Sequence, residues 1–230
     1  MQFARSDDAL VCCFSQNVQR VANTRIFSRR LDASQQAIAY QMEFAADTDL
    51  AMILPLPVVP GSGEKAVKFI NLEGYDSFFD DLGNAFPQPQ SRGKGWPAGL
   101  GIDSKLEVQS VGSFEASFVP SVADFHRLDE RFRIEPGIWK KIPGYSDYGF
   151  AVFKLKKGSH KVHPMALSFP SRQPGNLFFP TVHIHDGQVH DKERFDHELY
   201  CQIGQPGLFE IMKWEESPGI AKGACKIEKS

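Results

Sequence analysis

The fold is decided by a stretch that reads Gln36-Ala-Ile-Ala-Tyr-Gln-Met-Glu-Phe44, then Ala45-Ala-Asp-Thr-Asp49, then Leu50-Ala-Met-Ile-Leu-Pro-Leu-Pro-Val-Val59. In its first part, bulky side chains alternate with small or polar ones, which is the two-residue period of a half-buried strand. Its last part is apolar at every position, a pattern typical of a strand that is buried on both faces. Because proline cannot donate a ladder hydrogen bond, we expect this second strand to lose its pairing at Pro55.

Eight further segments have the β-branched and aromatic composition of strands, separated by turn residues. They cover residues 20–28, 106–111, 113–119, 148–156, 162–169, 178–185, 188–191 and 195–203. Two other segments carry aromatic residues at helical spacing and predict amphipathic helices over 75–86 and 121–132. Asp76 and Pro87 are suited to cap and stop the first helix, and Ser121-Val-Ala-Asp124 has the form of a capping box for the second.

The order of these elements is not a regular alternation of strand and helix, which favours an α+β fold over a doubly wound one. We expect one or two largely antiparallel sheets of about ten short strands, with the two amphipathic helices packed on them. Burial of aromatic side chains is strongly favourable, so Phe78, Phe79, Phe125 and Phe132 should lie on a sheet. We interpret residues 1–230 as a single domain, in which two loosely similar halves (about 1–104 and 105–220) precede a tail at 221–230.

Composition narrows the classes of partner and the compartment. The 230 residues are 42% hydrophobic and 23% charged, which is ordinary for a globular protein and excludes a disordered chain. The 26 basic residues are balanced by 28 acidic ones, so we expect no nucleic-acid partner. The apolar run 50–59 is too short to span a membrane, the N-terminus lacks the pattern of a secretory signal, and four cysteines are too few for a disulfide scaffold. We therefore expect a soluble, cytoplasmic protein.

The stretch from Ala39 to Pro57 also resembles a pattern in uncharacterised bacterial proteins with domains of unknown function. The shared pattern is a strand, a short acidic turn and an apolar strand that ends in Leu-Pro-Leu-Pro57. The resemblance implies a bacterial protein and assigns no catalytic residue.

Several short motifs have structural explanations. Gly61-Ser-Gly63-Glu-Lys65 lacks the spacing of a phosphate-binding loop and indicates a turn after Pro60. The lysine-rich segment 154–161 is typical of a charged hairpin tip that protects a sheet edge. Residues 87–103, which hold Trp96, have no periodicity and predict a long loop, either pinned to the surface or acting as a lid.

The histidines carry the strongest chemical signal. His183, His185 and His190 flank Asp186-Gly187, a dipeptide that favours a two-residue hairpin turn. In that hairpin the three histidines would share one face, because directly opposed residues point to the same side. Three imidazoles with a water molecule are the ligands of an open catalytic zinc site, with Glu198 or Asp186 as the base. A polar hairpin face that merely meets water is the alternative.

Three interpretations of function remain open. The leading one is a binding or interaction protein that uses the histidine-rich hairpin or a surface beside it. The second is a metal-dependent enzyme, most plausibly a hydrolase that binds a divalent metal such as zinc through the histidines. The third is a structural or assembly subunit.

Overall fold

The computed structural model describes residues 2–6, 12–86, 109–110, 115–134, 136–180, 183–184, 197–202 and 215–216. Its strands are β1 (Gln2–Ser6), β2 (Cys12–Phe14), β3 (Arg20–Arg30), β4 (Gln35–Ala46), β5 (Leu50–Leu56), β6 (Lys68–Asn71), β7 (Gln109–Ser110), β8 (Glu115–Val119), β9 (Gly149–Leu155), β10 (Gly158–Lys161), β11 (Met165–Pro170), β12 (His183–Ile184), β13 (His197–Gln202) and β14 (Glu215–Glu216). The helices are α1 (Phe78–Asn84) and α2 (Pro136–Lys141), accompanied by 3-10 segments at Val122–Arg127, Glu130–Phe132 and Pro143–Tyr145.

The strands form two sheets, most of whose neighbours are antiparallel. The large sheet has the order β14-β1-β13-β3-β4, and the far edge of β4 is shared by two short branches. Residues 35–40 of β4 pair with β11, which pairs with β6, and residues 43–46 pair with β10, which pairs with β7. The small sheet has the order β12-β2-β5-β9-β8. Each sheet therefore contains strands from both halves of the chain.

The two sheets pack face to face, and helical segments cover their outer faces. The central core joins alternate residues of β4 and β11 to alternate residues of β5 and β9. On the outer side of the large sheet, Phe79 and Leu82 of α1 pack on Phe27 and Tyr200. On the outer side of the small sheet, the 3-10 segments and α2 cover Ile53. Every residue of β5 is buried as a result, which confirms the prediction of a strand without a solvent face.

Pro55 does not end the ladder on both sides. Pairing between β5 and β9 continues to Leu56, with Pro55 opposite Phe150, whereas pairing with β2 covers only Met52 and Ile53. The prediction of lost pairing at Pro55 is therefore wrong for the β9 edge.

The aromatic residues of both predicted helices lie on sheets, although one helix takes a different form. Phe79, Phe125 and Phe132 are buried and Phe78 is partly buried, which confirms that prediction. The predicted second helix is instead a pair of 3-10 segments, broken at Leu128 by extended backbone. Arg133 supplies the reason, since its guanidinium donates to the carbonyl oxygens of Leu128 and His126 that an α-helix would have used.

Two further predictions need correction. The lysine-rich segment is not a hairpin tip, because β9 belongs to the small sheet and β10 to the large sheet, so the chain crosses between sheets at Lys156 and Lys157. Residues 178–180 are not a strand, and the backbone of Phe178 is paired with the Gln36 side chain instead of a ladder. The predicted loop at 87–103 and the strand at 188–191 lie outside the described residues.

No helix in the described ranges is long and apolar enough to cross a membrane.

Candidate functional site

The structure describes only part of the predicted histidine hairpin. His183 lies on β12, an edge strand that pairs in parallel with β2, so that His183 is beside Cys12 and Ile184 is beside Cys13. His185, His190 and Asp186 lie outside the described residues. Among the residues that are described, no group of three or more His, Cys, Asp or Glu side chains could hold a metal ion. Convergence of the three histidines therefore stays a prediction.

Glu198, the other candidate base, belongs to a polar cluster beneath α1. It lies on β13, beside Arg25 of β3, and its carboxylate accepts a 2.9 Å hydrogen bond from the hydroxyl of Tyr200. Burial, followed by the negative charge of Glu198, raises the pKa of Tyr200. Arg25 donates to Asp80 of α1 and to the side-chain oxygen of Gln41 at 2.7 Å. These contacts fasten α1 to the large sheet.

A different feature has the form of a binding site. An open cavity of about 440 Å³ is lined by Gln16, Asp47, Thr48, Asp49, Arg131 and Lys157, which we call the charged cleft. Four parts of the chain meet there: the segment after β2, the β4–β5 turn, the second 3-10 segment and the β9–β10 crossing. Every lining side chain is polar or charged, and both signs of charge are present.

The acidic wall comes from the Asp-Thr-Asp turn. Gln19 donates its side-chain amide to both carboxylate oxygens of Asp47, at 2.9 and 2.8 Å. The backbone N–H of Lys157 donates to Asp49 at 3.0 Å. Both donors are neutral, and neither carboxylate has an ion pair with another side chain in the described part of the protein. The turn therefore presents two oriented negative charges.

The basic wall is built around the ring of Phe132. The Arg131 guanidinium lies 5.2 Å from the ring centre and the Lys154 ammonium 5.3 Å from it, both within the range of cation–π attraction. Arg131 also donates to both carboxylate oxygens of Asp129 at 3.1 Å, and these hydrogen bonds lower the pKa of Asp129 to about 2. Arg131, which lines the charged cleft together with Lys157, is thereby held in one orientation.

The contacts of two side chains, Ser15 and His160, hold these parts of the cleft in place. The hydroxyl of Ser15 donates to the carbonyl oxygen of Arg131 and accepts from the backbone N–H of Ala51, both at 2.9 Å. This joins the second 3-10 segment to β5. On the other side, the Nε2 atom of the buried His160 lies 2.9 Å from the carbonyl oxygen of Lys157, and the imidazole packs on Phe44.

The sequence contains partial signals for the charged cleft. The acidic turn 45–49 and the lysine-rich segment 154–161 are both evident in the sequence. Their patterns, however, predict a connection between strands and a hairpin tip, not a binding site. Gln16 and Arg131 carry no signal at all, since neither belongs to a motif. Only the packing of the two sheets brings these residues together.

Comparison with known proteins gives a distant structural similarity and no family. No family model matches the chain. A solved structure, described as the crystal structure of baculovirus P35, is similar over 82% of this chain with 13% sequence identity and a TM-score of 0.46. The matched part of this chain spans 66% of the length of that protein. At this level the likeness carries no functional argument.

Proposed function

We propose that this protein is a binding protein and that the charged cleft is its recognition site. The ligand that fits is a short segment of peptide carrying one basic and one acidic group. The observation that carries the proposal is the lining of the cleft, in which every residue is polar or charged and both signs of charge are present. Its volume of about 440 Å³ lies in the range of sites for small ligands.

The two walls match the two ends of such a ligand. Asp47 and Asp49 are oriented by neutral donors and form no direct ion pair with a described side chain, although the charge of Arg131 also acts on Asp49. An incoming ammonium or guanidinium group can therefore pair with them directly. Arg131 and Lys157 line the same cleft, where they can donate to a carboxylate. Hydrogen bonds between charged groups are shorter and stronger than neutral ones, and requiring both at once selects against ligands of a single charge.

The test is calorimetric titration with four capped dipeptides: acetyl-Lys-Glu-amide, its reversed sequence, the dilysine and the diglutamate. We expect one of the mixed-charge peptides to bind at least about tenfold more tightly than either single-charge peptide, a difference of about 1.4 kcal/mol. Asp47→Asn and Lys157→Gln should each remove that preference. Lys140→Gln is the matched control, since it removes the same positive charge from an exposed lysine of α2 that does not line the cleft. Equal binding of all four peptides, or of none, would contradict the proposal.

A metal-dependent hydrolase is the second candidate, and one observation favours it. In the parallel register of β2 and β12, Cys12 is the backbone partner of His183, and cysteine and histidine are the residue types that zinc prefers. If zinc binds there, adding it to metal-stripped protein should raise the melting temperature, and His183→Ala together with His185→Ala should remove the effect. A melting temperature that zinc leaves unchanged argues against this candidate.

A further inference from the structure

Within the part of the chain that the structure describes, strand β6 is an edge of the large sheet with exposed apolar side chains. All four of its residues are exposed, including Phe69 and Ile70, and its pairing partner in the described ranges is β11. An edge strand offers backbone N–H and C=O groups to another strand, and natural proteins usually protect such an edge. Here Lys68 is the one charged residue of the strand.

The two faces of β6 have different surroundings. Phe69 is opposite Leu167, a residue of the central core, and its ring contacts that of Phe153 at 5.5 Å between centres. Ile70 is opposite Ala166, which belongs to the cluster beneath α1. Phe69 therefore closes the open edge between the two sheets, whereas Ile70 lies on the outer face.

The sequence around β6 is complementary to itself in the antiparallel direction. It reads Lys65-Ala-Val-Lys-Phe69-Ile-Asn-Leu-Glu73, with a basic residue four positions before Phe69 and an acidic residue four positions after it. Lys65 and Glu73 are both exposed, in the turns that flank the strand. If two copies of this strand pair about Phe69, each Lys65 is opposite the Glu73 of the other copy.

We propose that β6 is a self-association edge, through which two copies of this chain pair antiparallel about a twofold axis at Phe69. The large sheet then continues from one copy into the other. Because the twofold axis is perpendicular to the sheet, the inner faces of the two copies lie on the same side of the continuous sheet. The two Phe69 side chains therefore form a cross-strand pair. Two Lys65–Glu73 pairs close the ends of the interface.

The alternative register about Ile70 lacks these charge pairs. It would set Lys65 opposite Tyr75 and Glu73 opposite Val67. A register centred between two residues would place an inner-face residue of one copy opposite an outer-face residue of the other. The twofold axis perpendicular to the sheet does not allow this, because directly opposed residues must lie on the same face. The register about Phe69 is therefore the one that charge and symmetry favour together.

The size of the strand limits the strength of the dimer. Stable dimers usually bury roughly 1,200–2,000 Å² in total, and two four-residue strands cover much less than that. The association should therefore be weak, reversible and dependent on concentration. Because the end pairs are exposed, it should weaken as salt is added.

Charge reversal tests both the edge and the register. Sedimentation equilibrium of the full chain, from low micromolar to millimolar concentration, should show a monomer–dimer equilibrium. Lys65→Glu and Glu73→Lys should each weaken the dimer by about tenfold, because each variant places like charges opposite one another at both ends. The double variant, or an equimolar mixture of the two single variants, should restore association to the wild-type level.

Controls separate the interface from the fold. Lys140→Glu reverses an exposed charge on α2 and should leave association unchanged. Phe69→Glu should abolish the dimer while its circular dichroism spectrum stays that of the wild type. A wild-type chain that remains monomeric at millimolar concentration would overturn the proposal. So would single variants that dimerise like the wild type, or a mixture that does not recover.

Discussion

The side-chain amide of Gln36 pairs with both backbone groups of Phe178. Its Nε2 atom donates to the carbonyl oxygen of Phe178 at 2.6 Å, and its Oε1 atom accepts from the N–H of Phe178 at 3.1 Å. The amide also donates to the hydroxyl of Ser28 at 2.7 Å, and the whole side chain is buried. Gln36 thus makes the two backbone hydrogen bonds with Phe178 that a neighbouring strand would otherwise make. Phe178 belongs to the segment that leads to β12.

The first prediction follows from this contact. Gln36→Leu removes the side-chain amide that hydrogen-bonds to the N–H and C=O of Phe178 and to the hydroxyl of Ser28. Because the amide is buried, the free energy of unfolding should fall by about 2–4 kcal/mol. Urea denaturation measures the change. Gln35→Leu is the neighbouring control and should cost less than about 1 kcal/mol, since Gln35 is only partly buried. A loss below about 0.5 kcal/mol for Gln36→Leu would show that the amide contact is unimportant.

The second prediction concerns Gly149, which packs closely against two side chains. A Cβ atom added there would meet the ring of Phe118 at 2.5 Å and Val58 at 2.9 Å. Gly149→Ala should therefore destabilise the protein by about 1–3 kcal/mol through overpacking between β8 and β9. At Gly144 nothing lies within 4 Å of the added atom, so Gly144→Ala is the control. Equal midpoints for the two variants in thermal unfolding would contradict the packing argument.

The third prediction is the alkaline behaviour of Tyr200. Its raised pKa means that the folded state keeps the phenol proton at a pH where the unfolded chain has lost it. The stability associated with Tyr200 is then complete below the ordinary tyrosine pKa of about 10 and declines as the pH rises above it. The gap in unfolding free energy between the wild type and Tyr200→Phe should shrink with rising pH in that range. A gap that is constant up to pH 11 would refute the assignment.

The fourth prediction concerns the pair that orients Arg131 in the charged cleft. Carbon-detected NMR titration of the carboxyl groups should give Asp129 a pKa of about 2, because Arg131 donates to the carboxylate. Arg131→Gln should raise that pKa toward the ordinary value for aspartate. Any stability from this exposed pair is present above the ordinary pKa and is lost as the pH falls through the lowered one. Lys140→Gln is the control and should leave the Asp129 titration unchanged.

Local patterns were sufficient for several elements. The continuous apolar run of β5 predicted burial on both faces, and the structure places it between a facing sheet and a helical layer. The helical spacing from Tyr75 to Phe86 correctly predicted α1, although the helix itself covers only Phe78–Asn84. Both features depend only on the order of apolar and polar side chains within one segment, so the spacing of the apolar residues is enough to predict them.

Other elements could not be predicted because their causes are distant in sequence. The 3-10 form of residues 122–132 depends on Arg133 reaching back to carbonyl groups, which a local period does not register. Cys12–Phe14 has too few residues for a strand pattern and becomes β2 only because β5 and β12 lie on either side of it. The predicted histidine site depends on a hairpin that the described residues reach only at His183.

By itself, the sequence determined the β-rich composition, the apolar strand at the centre of the molecule and the aromatic faces that cover the sheets, since each follows from a local alternation of side chains. Only the tertiary structure decided which sheet each strand joins. Lys154 and His160 are close in the chain, yet they lie on strands of different sheets. The charged cleft exists because of that crossing, since pairing between distant strands, not the local pattern, brings Asp47, Arg131 and Lys157 around one cavity.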